Sequence, residues 1–238
     1  NVGFGAGRLN RTFRTNAARQ SVLSSGSAKP LVLCLYADVH YDFSQYFSIY
    51  SSFLDYRLGE TELQTRILNG GDTFEINNNG QSLNLSVLST FRAQSMTFLM
   101  GPSIKYQRNH FQETVPLTIF LSTKTTLINA HLGLEIQLKW ATISLAGLYG
   151  QAIDSDQTPS SPAFNQGHHW QLSSRLRIPL NKRLHFTVEG QLSYTEVSFM
   201  GESPHIDALT DPNQVFSYTA SETIDRFAAL LFAFGSML

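Results

Sequence analysis

Residues 128–140 read INAHLGLEIQLKW. Ile128, Ala130, Leu132, Leu134, Ile136, Leu138 and Trp140 are apolar, while Asn129, His131, Gly133, Glu135, Gln137 and Lys139 between them are small, polar or charged. A period of two predicts a β-strand with unlike faces. The run exceeds a typical globular strand and suits a tilted strand crossing a bilayer, which needs roughly 9–11 residues. The polar face must then either meet water or line a polar interior.

The same alternation recurs along the chain. Leu31, Leu33, Leu35, Ala37, Val39, Tyr41 and Phe43 oppose Val32, Cys34, Tyr36, Asp38, His40 and Asp42. Leu184, Phe186, Val188, Leu192 and Tyr194 oppose His185, Thr187, Glu189, Gln191, Ser193 and Thr195. Similar runs surround Leu83–Arg92, Met96–Gln107, Thr142–Tyr149, Trp170–Leu180 and Ala229–Leu238, and a noisier one, aromatic on both faces, covers Phe47–Leu58. Four connections are tight, near Ser44–Gln45, Gln94–Ser95, Lys139–Ala141 and Asn181–Lys182. Between them lie polar stretches rich in turn formers, at residues 60–81, 108–126, 153–168 and 198–223. Tight and long connections alternate, so an up-and-down meander carries every short turn at one end. Nine strands follow Leu31; closure of an antiparallel ring requires an even number, and the Gly-rich stretch Val2–Phe13 supplies the tenth. The expectation is one antiparallel, up-and-down barrel domain of ten strands, with eight as the second choice, both termini at the short-turn end and residues 15–30 forming a fifth long loop.

The totals narrow the function. With 17 Lys+Arg against 18 Asp+Glu the chain lacks the basic balance of a nucleic-acid binder. The single cysteine, Cys34, excludes an intramolecular disulfide and a multi-cysteine metal site. No stretch of about 18 apolar residues is present to form a transmembrane helix, which says nothing against a membrane barrel. The chain opens on Asn1 rather than Met, consistent with a removed leader or a longer parent.

A soluble barrel is apolar inside; a membrane barrel is the reverse. Three features favour the membrane. Aromatics gather near strand ends, at Tyr41, Phe43, Tyr46, Phe91, Trp140, Trp170, Phe186 and Tyr194, where interfacial girdles lie. Loop lengths sort by end, as short periplasmic turns and long extracellular loops do. The apolar faces are almost free of charge. The hairpins HYDFSQYFSIY (residues 40–50) and RIPLNKRLHFTVEGQLSY (residues 177–194) and the segment RFAALLFAFGSML (residues 226–238) make the chain resemble small bacterial outer-membrane β-barrel proteins of the OmpA- or OmpW-like kind. The resemblance implies a Gram-negative outer membrane and a final strand with alternate apolar residues and a terminal aromatic. Leu230, Phe232 and Phe234 fit that phase, whereas Ser236 and Leu238 depart from it.

The polar face predicts a lumen network of Asp38, His40, Asp42, Arg92, His131, Glu135, Lys139, Arg175, Arg177, His185 and Glu189. Opposite charges in a narrow lumen pair, because unpaired buried charge is costly, and about ten strands enclose little more than packed side chains. The triplet Asp38-x-His40-x-Asp42 has the composition of an oriented general base or a divalent-metal site. The ten-stranded omptin proteases resemble this architecture and use Asp and His pairs at the extracellular rim, but the triplet lies beside a tight turn at the other end. Adjacent His168 and His169 point to opposite faces of a strand and make a poor two-histidine metal site. No catalytic or metal-binding set and no cofactor is assigned. Arg14, Arg19 and Lys29, in an acid-free stretch of the predicted first loop, are candidates for lipopolysaccharide phosphates. Glu202, Asp207, Asp211 and Glu222 give the last loop an acidic character suited to cations or a basic partner. Expected partners are outer-membrane lipid, lipopolysaccharide and another envelope protein. The function expected is a non-enzymatic structural or binding role presented by the extracellular loops over a plugged lumen. The alternatives are a narrow channel for small solutes, an outer-membrane hydrolase (omptin-like protease or lipid-modifying enzyme) and a soluble lipocalin-like carrier.

Overall fold

A computed structural model describes residues 1–15, 22–26, 33–65, 73–113, 122–158, 163–206 and 215–236. The strands are β1 (Val2–Thr15), β2 (Val22–Gly26), β3 (Leu33–Asp42), β4 (Phe47–Thr65), β5 (Thr73–Ala93), β6 (Met96–Glu113), β7 (Ser122–Gln137), β8 (Thr142–Thr158), β9 (Ala163–Pro179), β10 (Leu184–Ile206) and β11 (Val215–Ser236). Neighbours pair antiparallel, and β1 pairs with β11 from Val2↔Phe234 to Thr15↔Ser221, closing the ring. β2 and β3 share one place in it, each lying between β1 and β4. The ring therefore has the ten places that strand parity predicts.

The orientation of the faces follows from single neighbours. Leu132 is 59% exposed while adjacent His131 is 5% exposed. The exposed apolar residues, among them Leu35, Leu85, Met100, Leu145 and Leu192, form an outward belt; Asn84, Lys105, His169 and Glu189 are buried inside. The belt is edged by exposed Tyr41, Phe43, Tyr46, Phe91 and Trp140 at the short-turn end and by Tyr106, Tyr149 and Trp170 at the other. This is a transmembrane arrangement: apolar side chains meet hydrocarbon and every ladder is closed on itself.

The hydrogen-bonded register climbs around the ring. Stepping from Thr142 across strands passes Arg177, Thr187, Ala233, Gly3, Tyr36, Leu54, Ser82, Gln107 and Thr125, and returns to β8 at Ser155. Such stagger is what closing a tilted sheet requires. The register shifts in the described ladders fall at Leu58/Thr61, Thr126/Leu127, Ser198/Phe199 and Met200/Ser203, all on the long-strand side of the belt.

Local chemistry fixes the tight turns. Asn181 Oδ1 accepts the amides of Arg183 and Leu184 at 2.8 and 2.9 Å. Ser44 Oγ accepts those of Tyr46 and Phe47. These are the short side-chain caps that make Asn and Ser turn residues. Gln94 takes the left-handed conformation, φ 52°, in the two-residue β5–β6 turn.

One expectation is corrected. The polar, turn-rich composition of residues 60–81, 108–126, 153–168 and 198–223 predicts long loops, yet most of these residues are strand, since β4 runs to Thr65, β6 to Glu113, β8 to Thr158 and β10 to Ile206. β2 likewise lies within residues 15–30. Beyond the belt the outside meets water and the inside is polar, so the alternation fades while the backbone ladder continues. β10 has 23 residues, about twice the roughly 9–11 that cross hydrocarbon, and the barrel therefore projects well past the outer leaflet.

Candidate functional site in the barrel lumen

Two polar layers cross the lumen. The lower one centres on Arg175, which β9 aims inward. Its Nη1 lies 2.7 Å from Asp38 Oδ2 on β3 and its Nη2 2.7 Å from Glu189 Oε2 on β10. Nε also donates to Glu189 at 2.9 Å, and Nη2 donates to the Tyr36 and Tyr50 hydroxyls at 2.6 and 3.0 Å. Tyr36 in turn donates to Glu189 at 3.1 Å. The Arg175 guanidinium sits over the Tyr50 ring, 5.7 Å from its centroid, and that ring meets His131 edge-on. One cation thus bridges carboxylates from two well-separated strands, with both phenols filling the remaining width; such a buried pair is stable only when its other hydrogen-bonding capacity is also met.

The upper layer centres on Arg11 and Asp225. Nε and Nη2 of Arg11 reach Oδ1 and Oδ2 of Asp225 at 2.6 and 2.5 Å, a bidentate pair. Arg11 Nη2 also donates to Thr123 Oγ1 at 2.8 Å, and Asn109 Nδ2 donates to Asp225 Oδ2 at 2.6 Å. The Tyr56 hydroxyl donates to Asn109 Oδ1, and its ring packs on Phe227 at 5.0 Å. Between the layers Lys105 Nζ donates to Gln171 Oε1 at 2.8 Å and lies 3.3 Å from His169 Nε2, while His169 Nδ1 is 2.9 Å from Thr195 Oγ1. A cavity of about 70 Å³ remains, lined by Tyr50, Leu54, Leu88, Leu99, Lys105 and His131 among others. That is room for two or so waters at about 30 Å³ each.

The sequence-predicted residues distribute as follows. Asp38, Arg175 and Glu189 form the lower layer. His131, buried, reaches Ser86 Oγ with Nδ1 at 2.9 Å. His185, also buried, meets the Asn1 side chain at 2.5 Å. Glu135, half-buried, accepts from Ser144 at 3.2 Å, and half-buried Arg177 lies on the inward row with Thr142 and Thr187. His40 Nε2 is 3.3 Å from Asp42 Oδ1, but Asp42 pairs with Arg92 at 2.7 Å where both are about half exposed, at the periplasmic mouth rather than inside. Lys139 is the correction: it lies in the β7–β8 turn with its side chain exposed, because the ladder ends at Gln137. Arg19 and Lys29 lie outside the described residues, and of Arg14 only the backbone, in β1, is described. His168 is exposed and His169 buried, on opposite faces as the strand period requires. Among the described residues no group of three or more His, Cys, Asp or Glu is placed to hold a metal.

Sequence reasoning left out Tyr36, Tyr50, Arg11, Asp225, Asn109, Tyr56, Lys105 and His169. The inward phase could have found Tyr36 and Lys105, which lie on the polar side of their strands. Arg11 and Asp225 gave no such sign, since one falls in a Gly-rich strand and the other just beyond an assigned loop.

The barrel is similar to the outer membrane protease OmpT from Escherichia coli, with a TM-score of 0.68 at 9% identity, over 99% of this chain and 95% of that one. The outer membrane protein OprG from Pseudomonas aeruginosa matches with a TM-score of 0.41 at 10% identity, over 99% and 94%. The translocator domain of the autotransporter NalP from Neisseria meningitidis matches at 0.39 and 9%, over 94% and 87%. No protein-family model and no curated protein matches the sequence. At these identities the likeness is one of fold, that of the bacterial outer-membrane β-barrel. With the apolar belt and aromatic girdles described above, that fold places the chain in the outer membrane.

Proposed function

We propose that this protein is a closed outer-membrane barrel that acts by presenting its projecting extracellular end to a partner, without conducting solutes and without catalysis. The observation that carries the reading is the pair of salt-bridged layers in series, Arg11–Asp225 above and Arg175–Asp38–Glu189 below. The lower ties neighbouring β9 and β10 to Asp38 on β3, and the upper ties neighbouring β1 and β11 across the lumen to Thr123 on β7 and Asn109 on β6; each leaves its charges paired. A hydrated ion crossing the lumen would have to break both, at the cost of exposing buried charge. The length of β10 beyond the belt supports the second half of the reading, because a rigid strand cylinder offers a fixed surface above the lipid. The His40–Asp42 pair opens to the periplasmic mouth, away from any substrate approaching from outside.

Planar-bilayer recording of the purified barrel at neutral pH tests this: a silent membrane is expected. A reproducible ohmic step would overturn the closed reading in favour of a narrow channel, for which the cavity between the layers is the supporting observation.

A further inference from the structure

The outward face of six adjacent strands carries a groove of about 850 Å³, running from β7 and β8 across β9, β10 and β11 to β1. Two rows define it. Leu145, Ser174, Gly190, Leu230 and Ala6 are register partners in succession, and so are Gly147, Leu172, Leu192, Ala228 and Arg8. Leucines make the walls; Gly147, Ser174, Gly190, Ala228 and Ala6 leave the floor low.

The backbone does not demand those glycines. A Cβ at Gly190 would meet nothing nearer than Ser174 Oγ at 3.4 Å, and at Gly147 nothing nearer than Leu172 Cδ2 at 3.5 Å. Glycine inside a strand weakens it, and the rest of the belt is covered by large apolar side chains. The groove is a depression in a lipid-facing wall that the barrel itself does not require. Its length, five interstrand spacings of about 4.8 Å, is on the scale of one extended acyl chain.

Charge identifies the occupant. Because the register climbs from β8 towards β1, the β1 end of the groove is its extracellular end. Arg8 stands there, outward and exposed, and lines the groove. Arg226 is its diagonal neighbour on β11, outward and exposed, with its guanidinium over the Tyr194 ring at 5.7 Å. Neither arginine has a carboxylate within 4.0 Å among the described residues. Two guanidiniums without a carboxylate partner among the described residues, one of them in the ladder row of Tyr194, Trp170 and Tyr149 at the extracellular girdle, match the phosphates of an outer-leaflet lipid.

We propose that this groove is a binding site for lipopolysaccharide, with one acyl chain on the Gly147–Gly190 floor and a phosphate between Arg8 and Arg226. The inference rests on the outer face alone and stands or falls independently of whether the lumen conducts.

The test uses the full chain refolded into phosphatidylethanolamine vesicles containing rough lipopolysaccharide, with retained glycolipid read by native mass spectrometry after mild detergent extraction. Wild type is expected to retain the glycolipid. R8Q/R226Q should lower retention on the order of tenfold or more, as the loss of charge-assisted hydrogen bonds implies. G147L/G190L, which fills the floor, should lower it comparably while leaving heat-modifiable folding intact. Dephosphorylated lipopolysaccharide should bind wild type no better than it binds R8Q/R226Q. Equal retention by wild type and both variants would overturn the proposal. So would an equal loss in R57Q, an exposed outward arginine outside the groove, since that would mean unspecific charge attraction.

Discussion

Arg11 and Asp225 are direct partners in the β1–β11 ladder, so the bidentate ion pair of the upper layer also joins the two strands that close the ring. The pair links positions 214 residues apart and is almost wholly shielded from solvent. Removing one partner leaves the other charged, buried and at the seam. Asp225→Ala is expected to cost about 3–5 kcal/mol, read as a lower denaturant midpoint for the heat-modifiable form. The paired replacement Arg11→Met with Asp225→Leu should recover most of that loss. A single variant as stable as wild type would show that the pair does not hold the seam.

Two layers in series make a further expectation about conductance. Arg175→Ala removes the ion pairs of the lower layer and leaves the upper one in place; Arg11→Ala does the converse. Each alone should remain silent in a planar bilayer, and the double variant should show discrete steps. Conductance from either single variant would mean that one layer alone had been closing the lumen.

Glycines in this barrel fall into two kinds that substitution separates. Gly80 is the register partner of Tyr56, and a Cβ there would overlap the Tyr56 ring. Gly80→Ala should displace that ring from Phe227 and Asn109 and destabilise by about 1–3 kcal/mol, the usual cost of overpacking. Gly190→Ala, with open space for its Cβ, should be neutral or stabilising by up to about 1 kcal/mol. Equilibrium unfolding in the same detergent compares the two, and a similar loss in both would discard the distinction.

Leu132 lies near the middle of the lipid belt and is 59% exposed. Leu132→Arg is expected to destabilise by about 2–4 kcal/mol and to lower insertion yield, as charge on the lipid face near the midplane does. His131→Leu, one residue away, should leave insertion intact and act instead through the lost contact with Ser86. If the two exchanged outcomes, the faces would be inverted.

The membrane half of this molecule was legible because two solvents act on it: hydrocarbon outside and a polar lumen inside impose opposite demands on successive residues, as Leu132 and His131 illustrate. The extracellular half was not, because Lys124, Thr125, Asp154 and Ser155 are polar on both faces and read as loop although the ladder runs through them. The lower layer was half legible. Asp38, Arg175 and Glu189 declared themselves by charge, but Tyr36 and Tyr50, which fill the width between them, are aromatic in a molecule where aromatics otherwise mark the interface. The polar face also hides apolar members: Leu88, Leu99 and Leu148 are buried on the lumen side, where local sequence offers no reason for them. Arg11 and Asp225 needed the closure itself, since nothing near either residue names the other.

The placement of the register shifts has a consequence for how this chain can change length. Face assignment along a strand behaves as a reading frame with two phases, and a gain or loss of one residue switches the phase of everything beyond it up to the next turn. Within the belt such an event would turn a lumenal charge such as Glu189 into the lipid and a leucine into the lumen. Past Leu58, Thr126 and Ser198 the ladder already absorbs an extra residue and neither face has to meet lipid, so the switch costs less. Single-residue insertions and deletions should therefore be better tolerated at the projecting end than within the belt, which leaves that end freer to diversify the surface it shows.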